Sequence, residues 1–405
     1  MANRLEAAAA VETRRVIALL LILLSSVAYA GESSKAGAQD REDEEASDEA
    51  RLEWMSFRFS TYFQRGHRGF QSQDRTVGTG PGGENVQIYQ PIAFARIRQT
   101  RSIVHNVAVP IDIVSAASTD ALDAIGHASR ENEAGSIDVT TTLNADKDLR
   151  YILHYGFHIE EPFKAIFAGF GIAHDFAEHN ATIASSVELI YDGVDDLQFW
   201  GEDLGWRSRG TANANVSISQ ILTPTTLVSA SYGITTQFGE LETSYNSLPI
   251  QTGGRMSERF PNTRLRQALT LRISQMIQPT RTTLRASYRA YTDTFGLFAH
   301  TADIQAYQYV TRTWLLRASY RFHTQTGVDF FRTSVPLDFD TNQPRTGDSD
   351  LQRFDAHEVG GGVRIYLEDG PLTDSSRYVD AMYYRYSRSN GLNVDLASIG
   401  YGQMF

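Results

Sequence analysis

The chain has 405 residues, of which 41% are hydrophobic, 11% are aromatic and none is cysteine, and its formal net charge is −11. The absence of cysteine excludes a fold held by disulfides. The negative charge argues against a nucleic-acid partner, because such a partner attracts proteins through its phosphates. The aromatic content excludes a chain that is disordered throughout.

The N-terminus carries the features of a secretory signal peptide. Two arginines precede a short apolar run over residues 16–24, and the small-x-small cleavage box Ala28-Tyr29-Ala30 follows. The run is too short for a transmembrane helix. We therefore predict that residues 1–30 are a cleaved signal peptide that takes the chain through the inner membrane.

A short acidic segment comes next. Residues 31–50 hold eight Asp and Glu residues against one Lys and one Arg. Such a composition buries too little apolar surface to fold by itself. We predict that residues 31–50 are a disordered periplasmic leader, and that residues 51–405 form one domain.

From residue 51 onward the chain alternates apolar with polar residues in segments of about 10 to 14 residues. In the first segment Phe57 and Phe59 alternate with Arg58 and Ser60. This period of two is typical of strands with two unlike faces, and no stretch shows a helical period. The pattern predicts an all-β fold, a transmembrane antiparallel up-and-down β-barrel of about 16 strands.

The connections between these segments alternate in length. Short turns are marked by Thr223-Pro224, Gln278-Pro279 and Asn390-Gly391. Long connections are predicted over residues 65–84, 116–134, 192–209, 237–264 and 325–353. Outer-membrane barrels have short periplasmic turns and long external loops. The alternation therefore predicts that both termini are periplasmic.

The polar faces of the later segments are rich in arginine. An arginine on the lipid-facing side would cost about 2–4 kcal/mol at the bilayer midplane. We therefore predict a basic wall that faces the lumen. Its members are Arg266, Arg272, Arg285, Arg289, Arg317 and Arg321.

The polar faces of the earlier segments predict a second wall of acidic and histidine side chains. Its members are His154, His158, Glu160 and Glu188. Two unlike walls across one lumen would set up a transverse field, similar to that in general porins. The alternative is that the charges pair with one another and plug the lumen, since polar interiors occur in both open and plugged barrels.

The histidines and carboxylates of this second wall are also candidate metal ligands. His154 and His158 are too far apart along a strand to chelate one ion alone, and a site would need Glu160 or Glu188 as well. We favour isolated lumen side chains and predict no metal and no cofactor. No nucleophile, zinc or phosphate-loop motif is present, so we predict that the protein is not an enzyme.

The C-terminal segment ends in an aromatic residue. Phe405, Tyr401 and Ile399 fall on one face of the last predicted strand. A terminal Phe on an amphipathic strand resembles the signal that the bacterial barrel-assembly machinery recognises. It implies that this machinery and outer-membrane lipid are partners of the chain.

The span from about residue 86 to the end resembles a family of uncharacterised Gram-negative outer-membrane β-barrel proteins, a domain of unknown function. The resemblance lies in the stretches 109–118 and 155–163, in Asp175-Phe176 and in Ser219-Gln220 before the Thr-Pro turn. It implies a barrel in the outer membrane and implies no settled activity.

Two functions from different classes follow from this sequence. The first is a porin-like channel for passive passage of small polar solutes or ions. The second is a closed barrel that acts as a scaffold or as a loop-mediated binding or adhesion platform, or as the partner of a periplasmic or metal-handling system.

Overall fold

The computed structural model describes residues 50–66, 86–116, 131–160, 163–197, 202–242, 247–368 and 376–405. The predicted signal peptide and all but the last residue of the predicted leader lie outside these ranges. One short 3₁₀ turn, Gln278–Thr280, interrupts the strands. The described part of the chain contains no helix that is long and apolar enough to cross a membrane.

Eighteen strands are described, and we number them in chain order. They are β1 (Arg51–Arg65), β2 (Val86–Arg98), β3 (Ile103–Ala116), β4 (Glu131–Asn144), β5 (Leu149–Glu160), β6 (Phe163–Phe176), β7 (Ala181–Leu197), β8 (Asp203–Thr223), β9 (Thr226–Gly239), β10 (Ser247–Pro249), β11 (Arg255–Ser257), β12 (Thr263–Ile277), β13 (Thr282–Asp293), β14 (Phe298–Tyr309), β15 (Trp314–Gln325), β16 (Phe354–Tyr366), β17 (Arg377–Arg388) and β18 (Asn393–Met404).

Sixteen of these strands form one closed antiparallel barrel. Each pairs with its neighbour in sequence, except that β9 pairs with β12 because β10 and β11 form a separate small hairpin. The first and last strands close the ring, from Trp54 opposite Met404 to Arg65 opposite Asn393. The prediction of an up-and-down barrel of about 16 strands is confirmed.

Successive side chains of each strand point alternately out of the barrel and into it. On β8 the apolar Val216 is 48% exposed on the outer face, whereas Asn215 lines an interior cavity. Outward side chains are large and apolar elsewhere too, with Ile166 and Leu189 both 62% exposed. An uncovered apolar surface on a closed barrel is what a bilayer covers.

The two ends of the barrel differ. The start of β1 and the end of β18 lie together at what we call the terminal end, and the opposite end is the loop end. The turns at Thr223-Pro224 and Gln278-Pro279 are at the terminal end, each a few residues long. The hairpin at Asn390-Gly391 is at the loop end, and Gly391 has a φ of +94°, which a residue without a Cβ adopts at little cost.

The predicted long connections over 237–264 and 325–353 are at the loop end, and those over 65–84 and 116–134 lie almost wholly outside the described residues. One prediction needs correction. The predicted long loop over 192–209 is largely strand, because β7 and β8 remain paired from Asp192 opposite Arg209 to Leu197 opposite Asp203. Acidic residues at 192, 195 and 196 interrupt the alternation of apolar and polar residues in this segment. The sequence pattern therefore did not predict a strand here.

Two long connections at the loop end pack against each other, and we call their described residues within 240–262 and 326–353 the cap. The amide of Gln251 donates to the carbonyl of Val335 at 2.9 Å, and the amide of Val335 donates to the carbonyl of Pro249 at 3.0 Å. Glu258 accepts hydrogen bonds from the Thr346 hydroxyl and the Gly347 amide. Because Val335 and Thr346 are fully buried, the cap has a packed interior of its own.

The cap is anchored to the inner wall by an aromatic cluster. The ring of Phe330 lies 5.0 Å from that of Phe295 and 5.6 Å from that of Phe260. Val328 and the inward-facing Ala299 of β14 are buried in the same cluster. The cap is therefore held to the part of the wall where β13 and β14 meet.

The outward direction of Val216 is testable. We expect Val216→Arg to lower the free energy of unfolding in lipid vesicles by about 2–4 kcal/mol, because the guanidinium would sit in hydrocarbon. Asn215→Arg is the matched control, since its side chain enters the lumen, and we expect a loss below about 1 kcal/mol. Equal losses, measured by urea titration, would contradict the assignment of the two faces.

Candidate functional site in the barrel lumen

His154 of β5 joins two carboxylates in the lumen. Its Nδ1 lies 2.6 Å from a carboxylate oxygen of Glu188 on β7, and its Nε2 lies 2.9 Å from one of Asp138 on β4. A neutral imidazole donates from one nitrogen only, so two such contacts require an additional proton on the ring or on a carboxylate. The structure thus brings together the predicted His154 and Glu188 and adds Asp138.

The strand between these residues makes the contact possible. Gly169 of β6 is registered with both His154 and Glu188. A Cβ at this position would lie 3.1 Å from the carbonyl oxygen of Val187 and 3.2 Å from the Cβ of Glu188. Glycine leaves the space through which His154 reaches Glu188 across β6.

Hydrogen bonds continue from Glu188 around the wall. Asn213 of β8 donates its side-chain amide to Glu188 at 2.9 Å, and the Thr235 hydroxyl of β9 donates to the Asn213 side-chain oxygen at 2.8 Å. We call the group Asp138, His154, Glu188, Asn213 and Thr235 the acidic cluster. Its carboxylates are engaged with other side chains of the wall.

The other two residues of the predicted acidic and histidine wall lie apart from this cluster. His158 and Glu160 lie 3.3 Å apart, Nε2 to carboxylate oxygen, and the His158 ring is 5.6 Å from that of Phe163. Among the described residues, no group of three His, Asp or Glu side chains is arranged to hold a metal ion.

Five arginines of the predicted basic wall line one large cavity of about 1200 Å³, and four of them are on β12 and β13. They are Arg266 and Arg272 of β12 and Arg285 and Arg289 of β13. No carboxylate of the described residues lies within 4.0 Å of any of them. Arg285 instead stacks over the Tyr307 ring, with its guanidinium carbon 4.8 Å from the ring centre.

The register of β12 and β13 alternates arginines with hydroxyls on the inner face. Its cross-strand pairs are Thr270 with Arg289, Arg272 with Ser287, and Ser274 with Arg285. No two of these arginines face each other directly, so their mutual repulsion is limited. We call each of these cross-strand pairs a level. Neighbouring levels are two residues apart along the strand, so their arginines follow one another at about 7 Å.

Arg317 and Arg321 of β15 have different surroundings. Arg321 reaches the large cavity, but it lies 3.6 Å from Asp303 and 3.7 Å from Glu358. Arg317 lines a smaller cavity of about 390 Å³ and contacts the sulfur of Met382 at 3.3 Å. Sequence reasoning missed Asp303 because its contact with Arg321 depends on the register of β14 against β15.

Most inward carboxylates elsewhere are ion-paired. Asp175 pairs with Arg150, Asp192 with Arg209, Asp293 with Arg264, and Asp380 with Arg58 and Arg364. The described lining of the large cavity includes six arginines and two aspartates, and both aspartates are paired. The lumen therefore has an excess of positive charge on β12 and β13.

The predicted assembly signal lies on the last strand. Ile399 is 56% exposed on the outer face of β18, and Tyr401 follows two residues later on that face. The backbone amide of Phe405 donates to the carbonyl of Glu53 at 3.1 Å. Recognition of these residues by the assembly machinery stays a prediction.

Comparison with known proteins places the chain in a family. Residues 22–393 match the family described as "Protein of unknown function (DUF3570)". The chain belongs to this family. The resemblance seen in the sequence is thereby confirmed, and no curated protein matches this DUF3570 barrel.

Solved structures of outer-membrane proteins are similar to this DUF3570 barrel at low identity. A bacterial polysaccharide outer membrane secretin has a TM-score of 0.45 at 10% identity, covering 87% of this chain and 98% of its own. A BenF-like porin from Pseudomonas fluorescens Pf-5 has a TM-score of 0.42 at 9% identity, covering 87% and 99%. OccK9 (OpdG) from Pseudomonas aeruginosa has 0.38 at 11%, covering 87% and 98%.

In this DUF3570 barrel His154 contacts both carboxylates of the acidic cluster, so its loss should affect stability. We expect His154→Ala to lower the free energy of unfolding by about 1–3 kcal/mol, because Asp138 and Glu188 both lose a partner inside the barrel. The measurement is urea unfolding in lipid vesicles.

A matched control separates the cluster from a general effect of losing histidine. We expect His158→Ala to cost less than about 1 kcal/mol, since its contact with Glu160 is longer. In a Glu188→Gln background, His154→Ala should cost less than it does in the unaltered chain. Additive losses would show that the two residues are not coupled.

Proposed function

We propose that this protein is a porin-like channel through which small polar solutes or ions pass passively. The observation that carries the proposal is the set of four lumen arginines on β12 and β13 that have no ion-paired carboxylate among the described residues. An isolated charge costs several kcal/mol to hold away from water. A lumen that keeps such charges therefore holds water beside them, and a water-filled barrel is permeable to small solutes.

The proposal places the channel in the bacterial outer membrane. Support comes from the apolar outward surface of the closed barrel and from the signal peptide predicted over residues 1–30. In this proposal lipid contacts the outward side chains, and the assembly machinery inserts the chain through its last strand. The proposal includes no enzymatic activity and no cofactor.

The cap supports a second function. Its two segments are hydrogen-bonded to each other and have buried side chains, so they present a defined surface at the loop end rather than two independent loops. A closed barrel that displays this surface would serve as a scaffold or binding platform. Conductance separates this function from the first.

The complete absence of cysteine allows a direct test of the water-filled lumen. Ser231 lines the large cavity, whereas its neighbour Ala230 lies in an apolar groove on the outer face. In planar bilayers we expect stable channels from both Ser231→Cys and Ala230→Cys. A charged, water-soluble thiol reagent should reduce the conductance of Ser231→Cys alone.

Three outcomes of this test are informative. Block of Ser231→Cys with no effect on Ala230→Cys supports an open pore along β9 and β12. Equal sensitivity of the two variants would contradict the assigned faces. A folded barrel that shows no conductance would overturn the channel proposal and favour the platform.

A further inference from the structure

We propose that the channel selects for anions, and that small oxyanions follow the arginines of β12 and β13. This inference rests on the proposed channel and adds the class of solute. We call Arg266, Arg272, Arg285 and Arg289 the arginine track. The argument depends on how charge is divided between the two sides of the lumen.

The two sides of the lumen offer different charges to a solute. In the acidic cluster, Asp138 and Glu188 share the ring of His154, and Glu188 accepts a further hydrogen bond from Asn213. The arginine track has no such partners among the described residues. The two carboxylates of the cluster are on β4 and β7, and β8 and β9 separate β7 from β12. At its other end the cluster reaches the track through Thr235, whose register partner on β12 is Arg266.

The spacing of the track gives an anion a continuous route. Inward positions 266, 270, 272 and 274 of β12 each have an arginine on that strand or directly opposite it on β13. Position 268 between the first two has no arginine, and Asp293 opposite Arg266 is paired with Arg264. The last three levels are about 7 Å apart, and the first is about 14 Å further toward the loop end. A small anion can therefore come under the influence of the next guanidinium before it leaves the last.

The side chains along the track suit oxyanions. A guanidinium binds carboxylate or phosphate through two parallel N–H donors, a geometry that a halide cannot match. Hydroxyls between the arginines can donate further hydrogen bonds. Those that line the cavity include Ser229, Ser231, Thr270, Ser274, Ser287 and Thr301.

The expected strength of selection follows from Coulomb's law. A unit charge about 7 Å from an anion in a water-like dielectric raises its local concentration about threefold, and it lowers that of a cation by a similar factor. Salt screening at 0.1 M reduces both effects. Several arginines along the pore therefore make it selective for anions, and each attraction is weak enough for the anion to move on.

The test is the reversal potential in a tenfold KCl gradient across a planar bilayer. We expect the unaltered protein to reverse toward the chloride equilibrium potential. The double variant Arg272→Gln/Arg285→Gln should lower the chloride-to-potassium permeability ratio by about threefold or more. Arg385→Gln is the matched control, because Arg385 pairs with Asp395 on the outer face and does not line the cavity.

A second measurement uses the unaltered protein and needs no variant to fold. Inorganic phosphate added to the KCl solution should reduce the chloride current by competing for the track, and chloride replaced by a large inert anion should abolish most of the current. Conductance without selectivity, or with preference for potassium, would overturn the inference while leaving the channel proposal intact. Absence of any conductance from the folded barrel would overturn both.

Discussion

The pairing of β1 with β18 is the interaction on which the rest of the structure depends. These strands lie at opposite ends of the described sequence, and their register runs without interruption from Trp54 to Arg65. Once the ring is closed, none of its sixteen strands has an unpaired edge, and each side chain of the wall points either out or in. The outward side chains must be apolar enough for the hydrocarbon of the bilayer. The charged inward side chains must pair with one another or be hydrated.

The inward set meets this requirement in two different ways. Around β4 to β9 the charged side chains are tied to one another, and Gly169 allows that connection across a strand. On β12 and β13 the arginines from Thr270 to Ser274 and opposite them alternate with small hydroxyl residues, and the carboxylate of these two strands, Asp293, is paired with Arg264. The first arrangement stiffens the wall, and the second leaves charge to be balanced by whatever occupies the lumen.

The sequence predicts features that depend on residues close together in the chain, and it does not predict contacts between distant strands. Alternation is local, so the inward direction of Arg272 and His154 could be predicted from neighbouring residues alone. Contacts of side chains depend on register between strands, and Asp138 and Glu188 lie 16 and 34 residues from His154. The pairing of Arg321 with Asp303 and the packing of the cap were hidden for the same reason.

The cap also constrains the order in which the barrel can assemble. Its hydrogen bonds between Pro249 and Val335 join segments that are separated in the chain by the whole of β12, β13, β14 and β15. Pairing of those four strands brings the two segments together at the loop end, where their hydrogen bonds form. We therefore expect resistance of the cap to proteolysis to appear late in folding, as a sign that this half of the barrel is complete.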